Sequence, residues 1–286
     1  MEVKTECLKC IFNQAYRTAK VSTSDDAKVR QILSLACEHL KSLNFNQTPP
    51  EAAQYIYKMV SDISGMVDPY SEIKKEHVRK ALRIYNKMIA LVNSSEDPLK
   101  EAVRVAIVGN AIDMGSLFEG VIISESVLTD MKVNFVDRDY PLFNEMVDKS
   151  EQIVFLADNA GETVFDRPLL NLLLERGKKV VYAVKSAPII NDATKEDAVL
   201  SSVEAPIVES GSSFAGTVLR DCSSDFTKIL YGSDLIIAKG QANYETLSQE
   251  KLPVFFLFKV KCEPISADTG ISVGSLAILK SKTSGR

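Results

Sequence analysis

The chain has 286 residues, 45% of them hydrophobic and 25% charged, which suits a globular enzyme with a core of useful size. A formal net charge of −4 and a pI near 5.5 argue against nucleic acid or an anionic membrane surface as partner, since both attract basic patches. No apolar run reaches the length of a membrane span, and MEVKTECLKC at the start has no apolar leader pattern. Together with five cysteines, an odd and modest number, this leads us to expect a cytoplasmic protein with free thiols.

Taken in chain order, the first hundred residues read as helices. Glycine is nearly absent there, with Gly65 the only one before Gly109. Leu8, Ile11, Phe12, Ala15 and Ala19 trace one helical face. Val29, Ile32, Leu33, Leu35 and Leu40 trace a second, with Ser24 and Asp25 as candidate N-caps. Pro49 and Pro50 open a third, carrying Tyr55, Ile56, Met59 and Val60 and ending near Gly65. Val78, Leu82, Tyr85, Ile89 and Leu91 mark a fourth, and Asn93–Ser95 is a break. Residues 1–96 are therefore expected to form an all-helical domain, and residues 97–286 an α/β domain.

From residue 97 helix and strand alternate. A helix is expected over 99–107, a strand-like run over 133–136, a buried strand over 152–157 (QIVFLA), a helix over 164–174 and a strand over 180–184. A helix closes over 226–231, and strands follow at 235–238 and 253–260, the last taken as the longest. Short apolar strands separated by helices imply a mostly parallel sheet sandwiched by helices. The tail after Ile278 is polar and is expected to fray.

In open α/β sheets ligands sit beyond the carboxyl ends of the strands. QIVFLA is followed by Asp158–Asn159–Ala160–Gly161–Glu162, and VVYAV by Lys185 and then by Asn191–Asp192–Ala193–Thr194. LIIA is followed by Lys239–Gly240–Gln241–Ala242–Asn243. Carboxylate and amide oxygens suit Mg²⁺ or Mn²⁺, and a lysine ammonium suits a phosphate oxygen. Such a rim fits phosphoryl transfer. A plainer reading stands beside it: Asp and Asn after a strand also serve as turn and N-cap residues, at 158–159 and at 191–192 alike, and a lysine is most often simply solvated. Repetition at successive strand ends, rather than any one residue, favours the functional reading.

The strand followed by DNAGE, the later NDAT, IAKGQANYE and VGNAID together resemble the damage-control phosphatase family, once known only as a domain of unknown function. ECLKCIFNQA is similar to a CxxC-containing subgroup of it common in archaea, and the resemblance spans essentially the whole chain. It implies a phosphatase dependent on Mn²⁺, Mg²⁺, Co²⁺ or Ni²⁺ that acts on small phosphorylated metabolites, either sugar phosphates or damaged phosphometabolites. It implies metal ligation by Asp158, Asn159 and Asp192. It also implies a phosphate pocket lined by Lys239, Gly240 and Asn243, a site completed by Asn110 and Asp113, and Glu162 standing behind the ligands. In the mechanism that follows, Lys239 offsets charge on the transferring group, and Asp113 or Glu162 handles the attacking water. An aspartyl-phosphate intermediate is the alternative route.

Other signals are weaker. Cys7 and Cys10 form a CxxC without a second pair, so packing, metal and redox roles all stay open. Asp137 and Asp139 resemble the Asp-x-Asp of haloacid-dehalogenase phosphatases, but Pro141 stands where those enzymes need threonine. Only His39 and His77 exist, which argues against a histidine triad, and neither GxGxxG nor GxxxxGK[ST] occurs. Phe255, Phe256 and Phe258 read as sheet core. A non-catalytic phosphometabolite-binding protein and, further off, a carboxyl methyltransferase are the rival functions. Oligomeric state is not legible.

Overall fold

The computed structural model describes residues 1–111 and 135–283, and of Asn110 and Ala111 the backbone only. Helices α1 (Thr5–Ser22), α2 (Asp26–Lys41) and α3 (Pro49–Ser64) come first. Asp25 caps α2 by accepting from the Ala27 and Lys28 amides. A Thr48/Glu51 capping box starts α3, and Gly65, at φ 77°, closes it. These three helices bury a core of their own around Ile11, Ile32, Ala36, Ile56 and Met59. Helix α4 (Ser71–Asn93) packs elsewhere: Val78, Ala81, Met88 and Val92 join α5 (Pro98–Ala111) in the core against the sheet.

The remaining elements are β1 (Phe135–Val136), α6 (Tyr140–Lys149), β2 (Gln152–Leu156), a 3-10 turn at Ala160–Glu162 and α7 (Thr163–Glu175). Then come β3 (Lys179–Val184), α8 (Lys195–Leu200), β4 (Ile207–Glu209), α9 (Ser224–Tyr231) and β5 (Leu235–Lys239). The chain ends with α10 (Gln241–Leu247), β6 (Val254–Lys259), α11 (Glu263–Thr269) and β7 (Leu276–Lys280). The seven strands lie in the order β1-β7-β6-β5-β2-β3-β4. Five run parallel from β6 to β4; β7 pairs antiparallel with β6, and β1 runs parallel to β7.

Strand alternation sets the two faces. Ile153, Phe155, Leu235, Ile237, Phe255 and Leu257 point to the side covered by α4 to α8. Val154, Leu156, Ile236, Ala238, Phe256 and Phe258 point to α9, α10 and α11. The result is an αβα sandwich with all-helical chain before it. Phe255, Phe256 and Phe258 are fully buried sheet core.

Three strands differ from the sequence reading. The tail expected to fray after Ile278 begins instead inside an interior strand, β7: Leu279 is buried, the Ser281 amide donates to the Val254 carbonyl at 2.8 Å, and β1 covers the outer edge. Its apolar run, Leu276–Leu279, is too short to read against the polar residues after it. β4 has only three residues and was not expected for the same reason. β6, six residues long, matches β3 rather than exceeding it. No described helix is long and apolar enough to cross a membrane.

Candidate active site

From β2 the chain moves outward through β3 and β4, then returns to β5 on the other side of β2. The strand order therefore reverses between β2 and β5, where open α/β sheets form a ligand crevice. Asp158 emerges just after β2, and Gly240 just after β5. The loops that follow β2 and β3 are joined by backbone: the Ala160 amide donates to the Asn191 carbonyl and the Ala193 amide to the Asp158 carbonyl, both at 2.8 Å. Asn159 and Asp192 thereby form a one-residue antiparallel bridge. Asp158 and Asn159 are thereby held beside Asp192, which comes from the next loop, after β3.

The polar groups form a continuous buried chain. Asn159 Nδ2 donates to Asp158 Oδ2 at 3.1 Å and to Glu162 Oε1 at 2.5 Å. Lys239 Nζ donates to Glu162 Oε2 at 2.9 Å and to Asp166 Oδ1 at 2.6 Å. Tyr182 donates to the other oxygen of Asp166 at 2.7 Å. Beside this chain Lys185 Nζ lies 3.7 Å from Asp192 Oδ2 and donates to the Gly216 carbonyl. Asp192 Oδ2 accepts no hydrogen bond among the described residues.

Burial dominates the electrostatics. It pushes the Asp158 carboxyl well above the usual range, with Glu162 and Asp192 adding repulsion. It raises Asp192 to about 6 against the pull of Lys185, and Asp166 to about 6 against that of Lys239. Lys239 is also raised: burial disfavours its charge, but Asp166 and Glu162 together outweigh burial and hold the ammonium protonated. Asp158, Glu162, Asp166 and Asp192 thus face Lys185 and Lys239, all of them buried. Lys261 also favours the charged form of Asp158, and Lys74 that of Asp192.

This inventory suits a divalent cation with hard oxygen ligands. Asp158, Asp192 and the Asn159 side-chain carbonyl could hold one, with Asp192 Oδ2 the oxygen left open. Among the described residues no three of His, Cys, Asp and Glu converge as a metal site, so the donor set needs the amide.

The other expected site residues fall as follows. Gly240 is wedged against Asp158: at φ 79° and ψ 161°, a Cβ there would meet Asp158 Oδ2 at 1.9 Å. Lys239 is fully buried and enclosed by acids rather than turned to an open phosphate site. Asn243 is a brace: its amide donates to the Lys239 and Ala157 carbonyls and accepts from Thr217, which ties the ends of β2 and β5 together. Glu162 has both carboxylate oxygens in hydrogen bonds. Asn110 lies in the last turn of α5, and Asp113 lies outside the described residues.

Asp166 was missed. Its signal is the i, i+4 spacing from Glu162 across the start of α7, which puts both acids on one face. Asp137 and Asp139 follow β1, four places along the sheet from β2, where they bind Lys100 and the Lys280 amide. His39 stacks on Tyr55, and His77 is buried in α4. All five cysteines are free thiols.

The damage-control phosphatase ARMT1-like domain matches residues 3–276. A damage-control phosphatase of Archaeoglobus fulgidus is 35% identical over 291 residues, covering 96% of this chain and 98% of that protein. A damage-control phosphatase of Pyrococcus horikoshii is 34% identical, with 99% of each chain covered. The crystal structure of a DUF89 family protein from Pyrococcus horikoshii superposes with a TM-score of 0.86 at 32% identity, over 99% of this chain and 100% of that one. A strand-order reversal between β2 and β5, acids and amides on paired loops beside it, and matches running almost end to end agree: the chain belongs to the ARMT1-like damage-control phosphatase family.

Proposed function

We propose that this protein is a divalent-metal-dependent phosphatase that hydrolyses small phosphorylated metabolites, either sugar phosphates or damaged phosphometabolites. The observation that carries this reading is the convergence of buried Asp158 and Asp192, with Asn159 bridged to Asp192, beyond the carboxyl ends of β2 and β3, where Asp192 Oδ2 accepts no hydrogen bond among the described residues. The names of the archaeal relatives support the reaction class.

Asp158, Asn159 and Asp192 would hold Mg²⁺, Mn²⁺, Co²⁺ or Ni²⁺, which when bound polarises a phosphoryl oxygen and acidifies water. The chain's own residues set the stage. Glu162 fixes the Asn159 amide on one oxygen and Lys239 on the other, so it positions groups rather than accepting a proton. Lys239, held protonated by Asp166 and Glu162, supplies positive charge beneath the strand ends. In hydrolysis the water oxygen bonds to phosphorus, the ester P–O bond breaks, and the alcohol leaves with one proton of the water. Direct attack by water is the route proposed, with Asp113 a candidate to orient it.

The test is release of inorganic phosphate from an aryl phosphate with each of the four metals and with EDTA. We expect turnover only with metal, and its loss in Asp158→Ala. Turnover indifferent to EDTA, or full activity of Asp158→Ala, would overturn the assignment. Phosphate binding without turnover would make the protein a binder, and a trapped phosphorylated Asp158 or Asp192 would replace direct water attack.

A further inference from the structure

Two lysines are buried beside the candidate metal ligands, and they are placed differently. Lys239 Nζ sits between the Glu162 and Asp166 carboxylates, at 2.9 and 2.6 Å, and is fully buried. Lys185 stands just past the end of β3 and is 5% exposed. Three observations single it out.

The first is register. The Lys185 amide donates to the Ala193 carbonyl at 2.9 Å, and Lys185 forms a one-residue parallel bridge with Thr194. Asp192 is the next residue along, so backbone alone holds the lysine beside that carboxylate. The second is a fixed anchor. Lys185 Nζ donates to the Gly216 carbonyl. Position 216 admits only glycine: φ is 68°, and a Cβ there would collide with the Ala242 carbonyl. The Thr217 amide pins the same turn to α10 by donating to Thr246 Oγ1 at 3.0 Å. The third is unmet donors. An ammonium group carries three N–H donors, and among the described residues only the Gly216 carbonyl accepts from Lys185. Asp192 Oδ2 lies at 3.7 Å, a charge contact too long for a hydrogen bond, and it accepts none from any described residue. A buried cation with donors to spare is unfavourable unless a ligand supplies acceptors. Phosphoryl oxygens are such acceptors, and a lysine suits them as a compact point charge.

We propose that Lys185, and not Lys239, is the lysine that touches the substrate: its ammonium group donates to a phosphoryl oxygen of the bound ester, while the Gly216 carbonyl anchors it. The inference rests on the phosphatase reading and adds a substrate-contacting residue to it. Lys239 keeps the role of internal counter-ion to Glu162 and Asp166, whose oxygens already engage it.

The test is calorimetric titration with inorganic phosphate, at concentrations of Mg²⁺, Mn²⁺, Co²⁺ or Ni²⁺ that saturate each protein. Saturation removes any effect that acts through metal affinity. Lys185→Met should bind phosphate roughly 10- to 100-fold more weakly than wild type, the worth of one hydrogen bond to a charged group, and lose kcat/KM for an aryl phosphate in similar proportion. Lys228→Met removes an equal charge from the surface of α9 and should bind phosphate as wild type does. Phosphate affinity of Lys185→Met within about threefold of wild type, or an equal loss in Lys228→Met, overturns the proposal. Thermal melts check that both variants fold. If Lys185→Met does not, the crystal structure of the wild-type protein with metal and phosphate decides: Lys185 Nζ within about 3.2 Å of a phosphate oxygen sustains the proposal, and Nζ left on Gly216 and Asp192 alone overturns it. Phosphate bound through Lys185 without turnover of any ester would defeat the phosphatase reading and leave the contact standing. No phosphate bound by the wild-type protein with any metal would overturn both.

Discussion

Alanine at position 240 would place a methyl carbon 1.9 Å from Asp158 Oδ2 and 2.2 Å from its Cγ. Real contacts of this kind stay beyond 3.0 Å, so the carboxylate or the β5–α10 turn has to move by about 1 Å, a displacement that can cost on the order of 10²-fold in rate. Asp158 is only 7% exposed, pinned by Asn159 on one side and by the bridge to the β3 loop on the other, so it has little room to yield. The backbone conformation itself, at φ 79° and ψ 161°, adds about 1–3 kcal/mol of strain for any residue but glycine. Gly270 separates the two effects. It closes α11 at φ 71°, and a Cβ there meets nothing within 4 Å. Gly240→Ala should lose both stability and about two orders of magnitude in phosphate release, whereas Gly270→Ala should lose stability alone. The assays are thermal denaturation and metal-supported hydrolysis of an aryl phosphate. Near-normal turnover in Gly240→Ala would refute the view that the closeness of β5 to Asp158 sets the site geometry.

Lys239→Met strands Glu162 and Asp166 without a counter-charge and should cost about 3–5 kcal/mol, read as a lowered melting midpoint; an unchanged midpoint would mean that the acids are already neutral. Tyr182→Phe removes one buried hydrogen bond to Asp166 and should cost about 1.5–3 kcal/mol by denaturant titration, while the ring contact with Phe155 is kept. Burial raises Glu245 from its unfolded value of 4.5 to about 7. The native state therefore holds more protons than the unfolded chain across that window, and stability falls as pH rises through it, by about 3 kcal/mol if the shift is fully expressed. Glu245→Gln, which can still accept from Gln241, should flatten this slope and melt higher at pH 8.

Strand ends were legible because buried parallel strands read as short apolar runs, and Asp158 and Lys239 stand at the ends of such runs, with Asp192 in the loop after a third. What those residues do to one another was not. That Lys239 would be enclosed by Glu162 and Asp166 depends on how α7 leaves the β2 loop. That Asn243 would brace two strand ends depends on the β5–α10 turn. Gln54 meets Ser213 across 159 positions of chain, which no local pattern encodes. β7 escaped notice because four apolar residues against a polar tail carry too little periodic signal, and its antiparallel direction is a property of the closing connection. The packing of α4 likewise follows from which helices share a face, not from its own apolar stripe, which looks like those of α1 to α3.

The bridge between Asn159 and Asp192 is made of backbone amides and carbonyls, and no side chain is needed to keep the two loops in register. Frame and function are therefore written in different atoms. Side chains at 158, 159 and 192 can be exchanged one at a time while the scaffold that aims them persists, so the crevice can explore new donor sets without first rebuilding its fold. A change in loop length between β3 and Thr194 has no such freedom: one inserted residue would shift the bridge and re-aim both acids at once. Such a site evolves readily by substitution and poorly by insertion.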